Sequence, residues 1–416
     1  MKQKHIVLVD GSWVGHHPTY IKTFIKILLG AGYQVTVLCP APGEVSLWVE
    51  RNVSLEQCRF KAHDFSDHDP WFWRYIPNKI RKALLSLARW FHVSQSLKKL
   101  VSSTEKPDLV FFAWLDSYLS GLSPALLIDW LFPYFWSGLY FHPTHYRDVK
   151  NNGIVRKKLF SLTSRLIAKS KWTTSVAVLD EGVLSKLHSS LPGKQVILFP
   201  DFADEIPCDD HCRLAREIGE RANGRKVIGL LGGLSKRKGL LTLIRTVEQS
   251  GERNWYFVFA GVFLEKTFSK EELTEINIFF NTPRDNCYFH LEKIPNDAQF
   301  NAVLNACSVI FAMYEDFPHS SNLVTKSAAY GKKVLVSSGG YMEEVVRRYN
   351  LGEVVHTRDI QSTIGALHRL TARNSSHENM SGMEEYAKAQ SQKKLEKVLL
   401  SLVETSIDRA TSIAAQ

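Results

Sequence analysis

"LLGGLSKRKGLLTLIRTV", residues 230–247, decides how the whole chain is read. A short apolar run ends in Gly232 and Gly233, the cations Lys236, Arg237 and Lys238 follow, and Gly239 opens an amphipathic helical pattern. Buried strand, glycine turn and helix start are half of a strand–helix–strand unit. The glycines let backbone approach a ligand closely. The unbonded N–H groups and the dipole of the helix start favour an anion. The turn therefore fits a phosphate, with a solvated basic turn as the plain alternative.

The same alternation extends outward in both directions. HIVLVD (5–10), VTVLCP (35–40), DLVFFAW (108–114), GLYFHP (138–143), WTTSVAVLD (172–180) and QVILFPD (195–201) are apolar runs separated by helical spacing. A second series holds KVIGLLGG (226–233), WYFVFAG (255–261), CYFHL (287–291), SVIFAMYE (308–315), KVLVSS (333–338) and GEVVHT (352–357). Strands that are apolar along their whole length are covered on both faces, which predicts parallel sheets flanked by helices. The expected organisation is α/β, with two tandem doubly wound, Rossmann-like domains. Their predicted extents are 1–204 and 226–380, joined by a polar connection at 205–225, with a helical tail at 381–416 packing back on the first domain. A chain of 416 residues is long enough for two cores. In such sheets ligands gather at the carboxyl ends of the strands.

Composition narrows the partners. The chain is 44% hydrophobic and 23% charged, ordinary for a globular protein, with a formal net charge of +10. That excess suits a phosphorylated ligand or an anionic membrane surface; no recognition motif accompanies it, so no nucleic acid is expected. The six cysteines are scattered and the opening MKQKHIVLVD runs straight into a strand, so a cytoplasmic protein with reduced thiols is expected. The apolar stretch 119–141 contains Pro124, Asp129 and Pro133 and reads as a buried helix, a turn and a buried strand rather than a membrane span. Two clusters, His63, Asp64, Asp67, His68 and Asp69, and Cys208, His211 and Cys212, lack the paired spacing of a zinc site and read as solvated loops, so no metal is expected.

A second loop strengthens the phosphate reading. In MYEDFPHSSNLVTKSAAYGKKVLVSS (313–338), Glu315 and Asp316 close a buried strand, and Ser320, Ser321 and Asn322 offer three successive helix caps before Leu323. Two helix starts at one sheet edge can grip a diphosphate, and Glu315 can accept from sugar hydroxyls; helix capping by the same serines is compatible with both.

Along nearly its whole length the chain resembles the GT-B nucleotide-sugar glycosyltransferases, specifically the retaining family 4 group. Gly232, Leu234, Lys238 and Gly239 match the family's G-R-L-x-x-x-K-G turn, with Gly233 in place of its arginine; Tyr314, Glu315 and Phe317 match its Y-E-G-F, with Asp316 in place of the glycine. SAAYGKKVLVSS matches the segment that follows. Lys326 stands where the family's second glutamate contacts the donor ribose; a lysine accepts no hydrogen bond but can meet a diphosphate oxygen. DGSWVGHHPTY (10–20) resembles the family's first glycine-rich loop, and LYFHPTH (139–145) its strand ending in histidine. The resemblance implies two domains facing a cleft. The donor set would be Gly232, Gly233, Arg237, Lys238, Glu315, Ser320, Ser321, Asn322, Leu323 and Lys326, and the acceptor side Gly11, Gly15, His16, His17 and His142. Glu315, Lys238 and His142 would be the catalytic residues.

The stretch 70–104 has no acidic residue but carries Arg74, Lys79, Arg81, Lys82, Arg89, Lys98 and Lys99, together with Trp71, Phe72, Trp73 and Trp90. Ile80, Leu84, Leu87 and Phe91 share a helix face. This composition suits either a helix lying on an anionic membrane or a domain helix packed on the sheet. The implied activity is transfer of a sugar from a nucleotide-diphosphate sugar to a glycan, lipid-linked or small-molecule acceptor, with retention and without metal or other cofactor, in the cytoplasm or at the inner face of a membrane. A non-catalytic nucleotide-sugar-binding protein, or an epimerase or phosphorylase of the same fold, fits the same residues.

Overall fold

The computed structural model describes residues 3–53, 59–66, 78–101, 106–119, 124–143, 146–147, 167, 169–372 and 380–414. Thirteen strands among them form two wholly parallel sheets. The first holds β1 (His5–Val9), β2 (Gln34–Cys39), β3 (Phe60–Asp64), β4 (Leu109–Phe112), β5 (Trp136–Tyr140), β6 (Ser175–Val178) and β7 (Gln195–Leu198), in the order β3-β2-β1-β4-β5-β6-β7. The second holds β8 (Lys226–Leu231), β9 (Trp255–Ala260), β10 (Cys287–His290), β11 (Val309–Ala312), β12 (Lys333–Ser337) and β13 (Gly352–Val355), in the order β10-β9-β8-β11-β12-β13. Each sheet is doubly wound. Strand order reverses between β1 and β4 in one sheet and between β8 and β11 in the other, and ligands bind such folds at these switch points.

β3 departs from the sequence-based expectation, which places a solvated loop from His63 onward. FKAHD alternates polar and apolar residues, which suits an edge strand whose outer side is open. Asp67, His68 and Asp69 lie outside the described residues.

The chain divides into two compact units, Met1–Phe199 with Leu395–Gln416, and Pro200–Lys394. The boundary thus lies before the polar connection, which belongs to the second unit. Its helix Arg213–Ala222 buries Ile218 and Ala222 in that unit's core, beside Met383 and Tyr386 from the expected tail. From Leu395 onward the last helix belongs to the first unit: the Ser406 and Ser175 hydroxyls meet at 2.8 Å, and Arg409 donates to the Thr174 carbonyl.

The helix Asn78–Val101 does not turn the side bearing Leu84 and Phe91, for which the sequence leaves both sheet packing and a membrane surface open, into the core. Trp90, Val93 and Leu97 are buried among Phe112, Phe132 and Trp136, whereas Leu84 and Phe91 are exposed. The helix Ala125–Leu131 is likewise not the buried one expected: Leu126 is 84% and Trp130 76% exposed, while Ile128 and Asp129 are buried and Ala125 packs against the core. Spacing located both helices, but it could not show which side the sheet would cover. Trp71, Phe72, Trp73 and Arg74 lie outside the described residues.

In the second unit, Gly239 sits at φ +76°, and a Cβ there would collide with the Met313 carbonyl at the end of β11. The helix Leu240–Ser250 can start against β11 only because this residue is glycine. Gly239→Ala should lower unfolding free energy by about 1–3 kcal/mol through backbone strain alone, with the collision adding to it. A denaturant titration showing wild-type stability would refute this.

Candidate functional site

The three cations of the opening stretch take three different positions. Lys236 forms an ion pair with Glu272. Arg237 is exposed and stacks over the rings of Phe317 and Tyr314, 4.7 and 5.2 Å from their centroids. Lys238 folds back so that its Nζ donates to the Leu231 carbonyl at 3.0 Å, 5.5 Å from the Tyr314 ring. A Cβ on Gly232, whose φ is +93°, would come 2.8 Å from that Nζ. The glycine therefore makes room for the ammonium at the carboxyl end of β8. The result is a concentrated positive charge beside half-buried glycine backbone, an arrangement suited to an anion.

The β11 loop is tied to this turn. The Glu315 N–H donates to the Arg237 carbonyl at 2.7 Å, and the Ser337 hydroxyl donates to the Tyr314 carbonyl at 2.5 Å. The Tyr314 hydroxyl lies 3.1 Å from Ser321 Oγ. Ser321 is the N-cap of the helix Asn322–Ala329, but its side chain makes no capping bond. The Val324 N–H turns back onto the Ser321 carbonyl at 2.9 Å, so capacity for an outside acceptor in the first turn is left to the Asn322 and Leu323 N–H groups. Ser320 is half-buried nearby in sequence. Gly232, Gly233, Arg237, Lys238, Glu315 and Ser321 are consequently gathered at one switch point.

Three expected donor residues are turned elsewhere. The Lys326 side chain is 4% exposed, with its Nζ 2.5 Å from Asp204 and 3.0 Å from Asn301 Oδ1. Asn322 spends its amide on the Phe202 carbonyl at 2.5 Å, and Leu323 is buried in the hydrophobic core. The one-turn spacing from Asn322 to Lys326 puts both side chains on the side that holds residues 202–206. Lys326 thus stands in an internal ion pair, not in the ligand contact expected of it.

Glu315 has a partner that sequence did not disclose. Arg358, in the turn after β13, donates from Nε at 2.9 Å and from Nη2 at 2.6 Å, both to Glu315 Oε2. The Glu315 side chain is 8% exposed and that of Arg358 61%. The carboxylate beside it raises the Arg358 pKa above its usual value, chiefly through these hydrogen bonds.

The first unit builds a second cluster around its own switch point. At the end of β1, buried Asp10 takes a bond from the Ser12 N–H and lies 2.8 Å through each oxygen from His17 Nδ1. Burial pushes the Asp10 carboxyl above the usual range, and the His17 bond opposes the rise. His17 stacks on Trp114 at 4.1 Å, and Trp114 on Phe141 at 3.7 Å. Asp116 accepts the backbone N–H of Phe141 and of His142, at 2.7 and 2.8 Å, with His142 Nδ1 3.9 Å away. Burial raises the Asp116 pKa, against the pull of His142. Gly15 has φ +67° and open space around it, His16 is exposed at the helix start, and Gly11 is half-buried. Sequence reading missed Asp10, Trp114 and Asp116, although each stands at or just beyond a strand's carboxyl end.

Among the described residues no group of three or more His, Cys, Asp or Glu side chains is placed to hold a metal ion, and no helix is long and apolar enough to cross a membrane.

The Lys326 ion pair is open to direct measurement. Removing the ammonium leaves buried Asp204 without its charge partner, so Lys326→Ala should cost about 3–5 kcal/mol of stability. Equilibrium unfolding that gives less than about 1 kcal/mol would return Lys326 to the surface of the site.

No protein-family model matches the chain, and no curated protein matches it in sequence. Solved structures do. HepE from Anabaena, in complex with UDP and glucose, superposes with a TM-score of 0.65 at 12% identity, over 97% of this chain and all of that one. Sucrose-phosphate synthase from Thermosynechococcus elongatus gives 0.62 at 16% identity over the whole of both chains. WaaG, a glycosyltransferase involved in lipopolysaccharide biosynthesis, gives 0.59 at 14% identity over 96% of this chain and 98% of that one. At these identities what is shared is the fold, and the chain has the GT-B fold of these glycosyltransferases.

Proposed function

We propose that the protein is a glycosyltransferase that moves a sugar from a nucleotide-diphosphate sugar to an acceptor, with retention of anomeric configuration. The observation that carries this reading is the pairing of Lys238 and Arg237 at the end of β8 with Glu315 at the end of β11, joined by the Arg237–Glu315 backbone bond. Cations beside glycine backbone suit a diphosphate, and a carboxylate next to them suits sugar hydroxyls. The GT-B neighbour HepE has been crystallised with UDP and with UDP-glucose, which supports the same class of ligand here.

In this reading the second unit holds the donor. Breaking the anomeric bond leaves negative charge on the diphosphate, and Lys238, Arg237 and the N–H groups behind Ser321 stabilise it. Glu315 orients the sugar. The acceptor hydroxyl belongs to the first unit, where His17 and His142 are held by Asp10 and Asp116. The acceptor oxygen bonds to the anomeric carbon, and the leaving phosphate takes its proton.

Incubation with a panel of nucleotide sugars tests the reading, since release of the nucleotide diphosphate is the required product. Lys238→Ala should lower kcat/KM by roughly 10²- to 10³-fold, the loss typical of one donor to a developing oxyanion. Wild-type turnover in that variant would remove the phosphate assignment.

We also infer that the first unit meets an anionic membrane carrying a lipid-linked acceptor. Leu84, Phe91, Leu126 and Trp130 are exposed, and Lys98, Lys99 and Lys171 are exposed cations of the same unit. Apolar side chains and lysines together suit a charged lipid surface. Co-sedimentation with anionic vesicles should exceed that with neutral ones and fall at high salt, and Trp130→Ser should reduce it. Equal recovery in every supernatant would leave a soluble acceptor.

A further inference from the structure

Among the described residues, four other than glycine have left-handed backbone: Asn223, Asp316, Asn350 and Arg358. Two are explained locally, since Asn223 and Asn350 close the helices Arg213–Ala222 and Tyr341–Tyr349. Asp316 and Arg358 close no helix, and both converge on Glu315. Asp316 follows it in the chain, and Arg358 grips its Oε2 through two donors. An arginine in this conformation is costly, and such strain persists where the surrounding structure imposes it. At residue 358 that surrounding structure is the next residue, Asp359, which caps the helix Ile360–Thr371 by accepting from the Ser362 N–H at 3.0 Å.

The grip is one-sided. Both Arg358 bonds end on Oε2, and among the described residues Oε1 takes no hydrogen bond. Main-chain bonding of Glu315 to Arg237 fixes the root of the side chain, and Arg358 fixes its tip. The carboxylate is therefore held at its root and at its tip, with one oxygen occupied by the guanidinium and the other left without a hydrogen bond among the described residues.

We propose that Arg358 is a positioning residue for sugar transfer: it immobilises Glu315 so that Oε1 alone accepts from one hydroxyl of the donor sugar. This rests on the reading of Glu315 as the group that orients the sugar. Arg358 itself contacts neither diphosphate nor nucleotide in this assignment. The arginine missing at Gly233 is thus not replaced by Arg358, whose guanidinium is committed to a carboxylate.

The test compares Arg358→Gly, Arg358→Lys, Glu315→Gln and the Arg358→Gly/Glu315→Gln pair in donor turnover, affinity for the nucleotide diphosphate, and thermal unfolding. Glycine accepts left-handed backbone, so Arg358→Gly relieves strain and should keep or raise Tm. Its kcat should fall by roughly 10- to 100-fold, the scale of a misplaced reacting group, with nucleotide diphosphate affinity within about twofold of wild type. Arg358→Lys keeps the charge but not the two-point grip, and should recover part of the loss. The double variant should be no slower than Glu315→Gln alone, because both changes remove one interaction. Unchanged kcat in Arg358→Gly overturns the proposal. So does a matching loss of nucleotide diphosphate affinity, which would make Arg358 a phosphate ligand. A wild-type protein that turns over no nucleotide sugar instead overturns the transferase reading, and this inference with it.

Discussion

One short contact organises the second unit: the Glu315 N–H on the Arg237 carbonyl, made possible by Gly239 lying against the Met313 carbonyl. β8 and β11 are neighbours in the sheet but distant in sequence, and each ends in a loop of its own. Without this contact two charged loops would sit near each other with no fixed relation. With it, the cations of one loop and the carboxylate of the other become a single group. Hydrogen bonding of one backbone to another does this without consuming either side chain, which leaves Arg237 and Glu315 available for chemistry.

The same economy separates residues that serve the fold from those that face a ligand. Lys236 is neutralised by Glu272, and Lys326 by Asp204 within an apolar setting. Arg237 rests on aromatic faces, which leave its charge uncancelled. Among the described residues, the Leu231 carbonyl is the only hydrogen-bond partner of Lys238 Nζ. A cation bonded to a carboxylate offers little to an arriving phosphate, whereas one resting on a ring or a carbonyl retains its full attraction. By that criterion two of the stretch's three cations are equipped for an anion. In the first unit, buried Asp10 holds the His17 imidazole and half-buried Asp116 holds the His142 backbone, so neither stands as a free exposed acid.

The strand–turn–helix rhythm was legible because it follows from local chemistry. Apolar runs such as WYFVFAG and SVIFAMYE can only be strands buried on both faces, and glycine followed by an amphipathic period can only start a helix. That was enough for two doubly wound sheets, and hence for the switch points where Lys238, Glu315, His17 and His142 stand. It was also enough to propose an anion site at 232–239, since glycines and cations at a helix start carry their meaning within a few residues.

What sequence could not supply is partnership across distance. Lys326 aligned with a ligand contact, yet Asp204 and Asn301, 122 and 25 positions away, draw it inward. Arg358 lies 43 positions from Glu315, in a turn with no motif of its own. Phe91 and Trp130 were assigned to helices correctly, but periodicity describes a face without saying what it meets. Local patterns set which elements form and where their polar ends fall, because those depend on neighbours along the chain. Which charge is cancelled, which is held ready, and which apolar face stays open depend on neighbours in space, and only the tertiary structure brings those together.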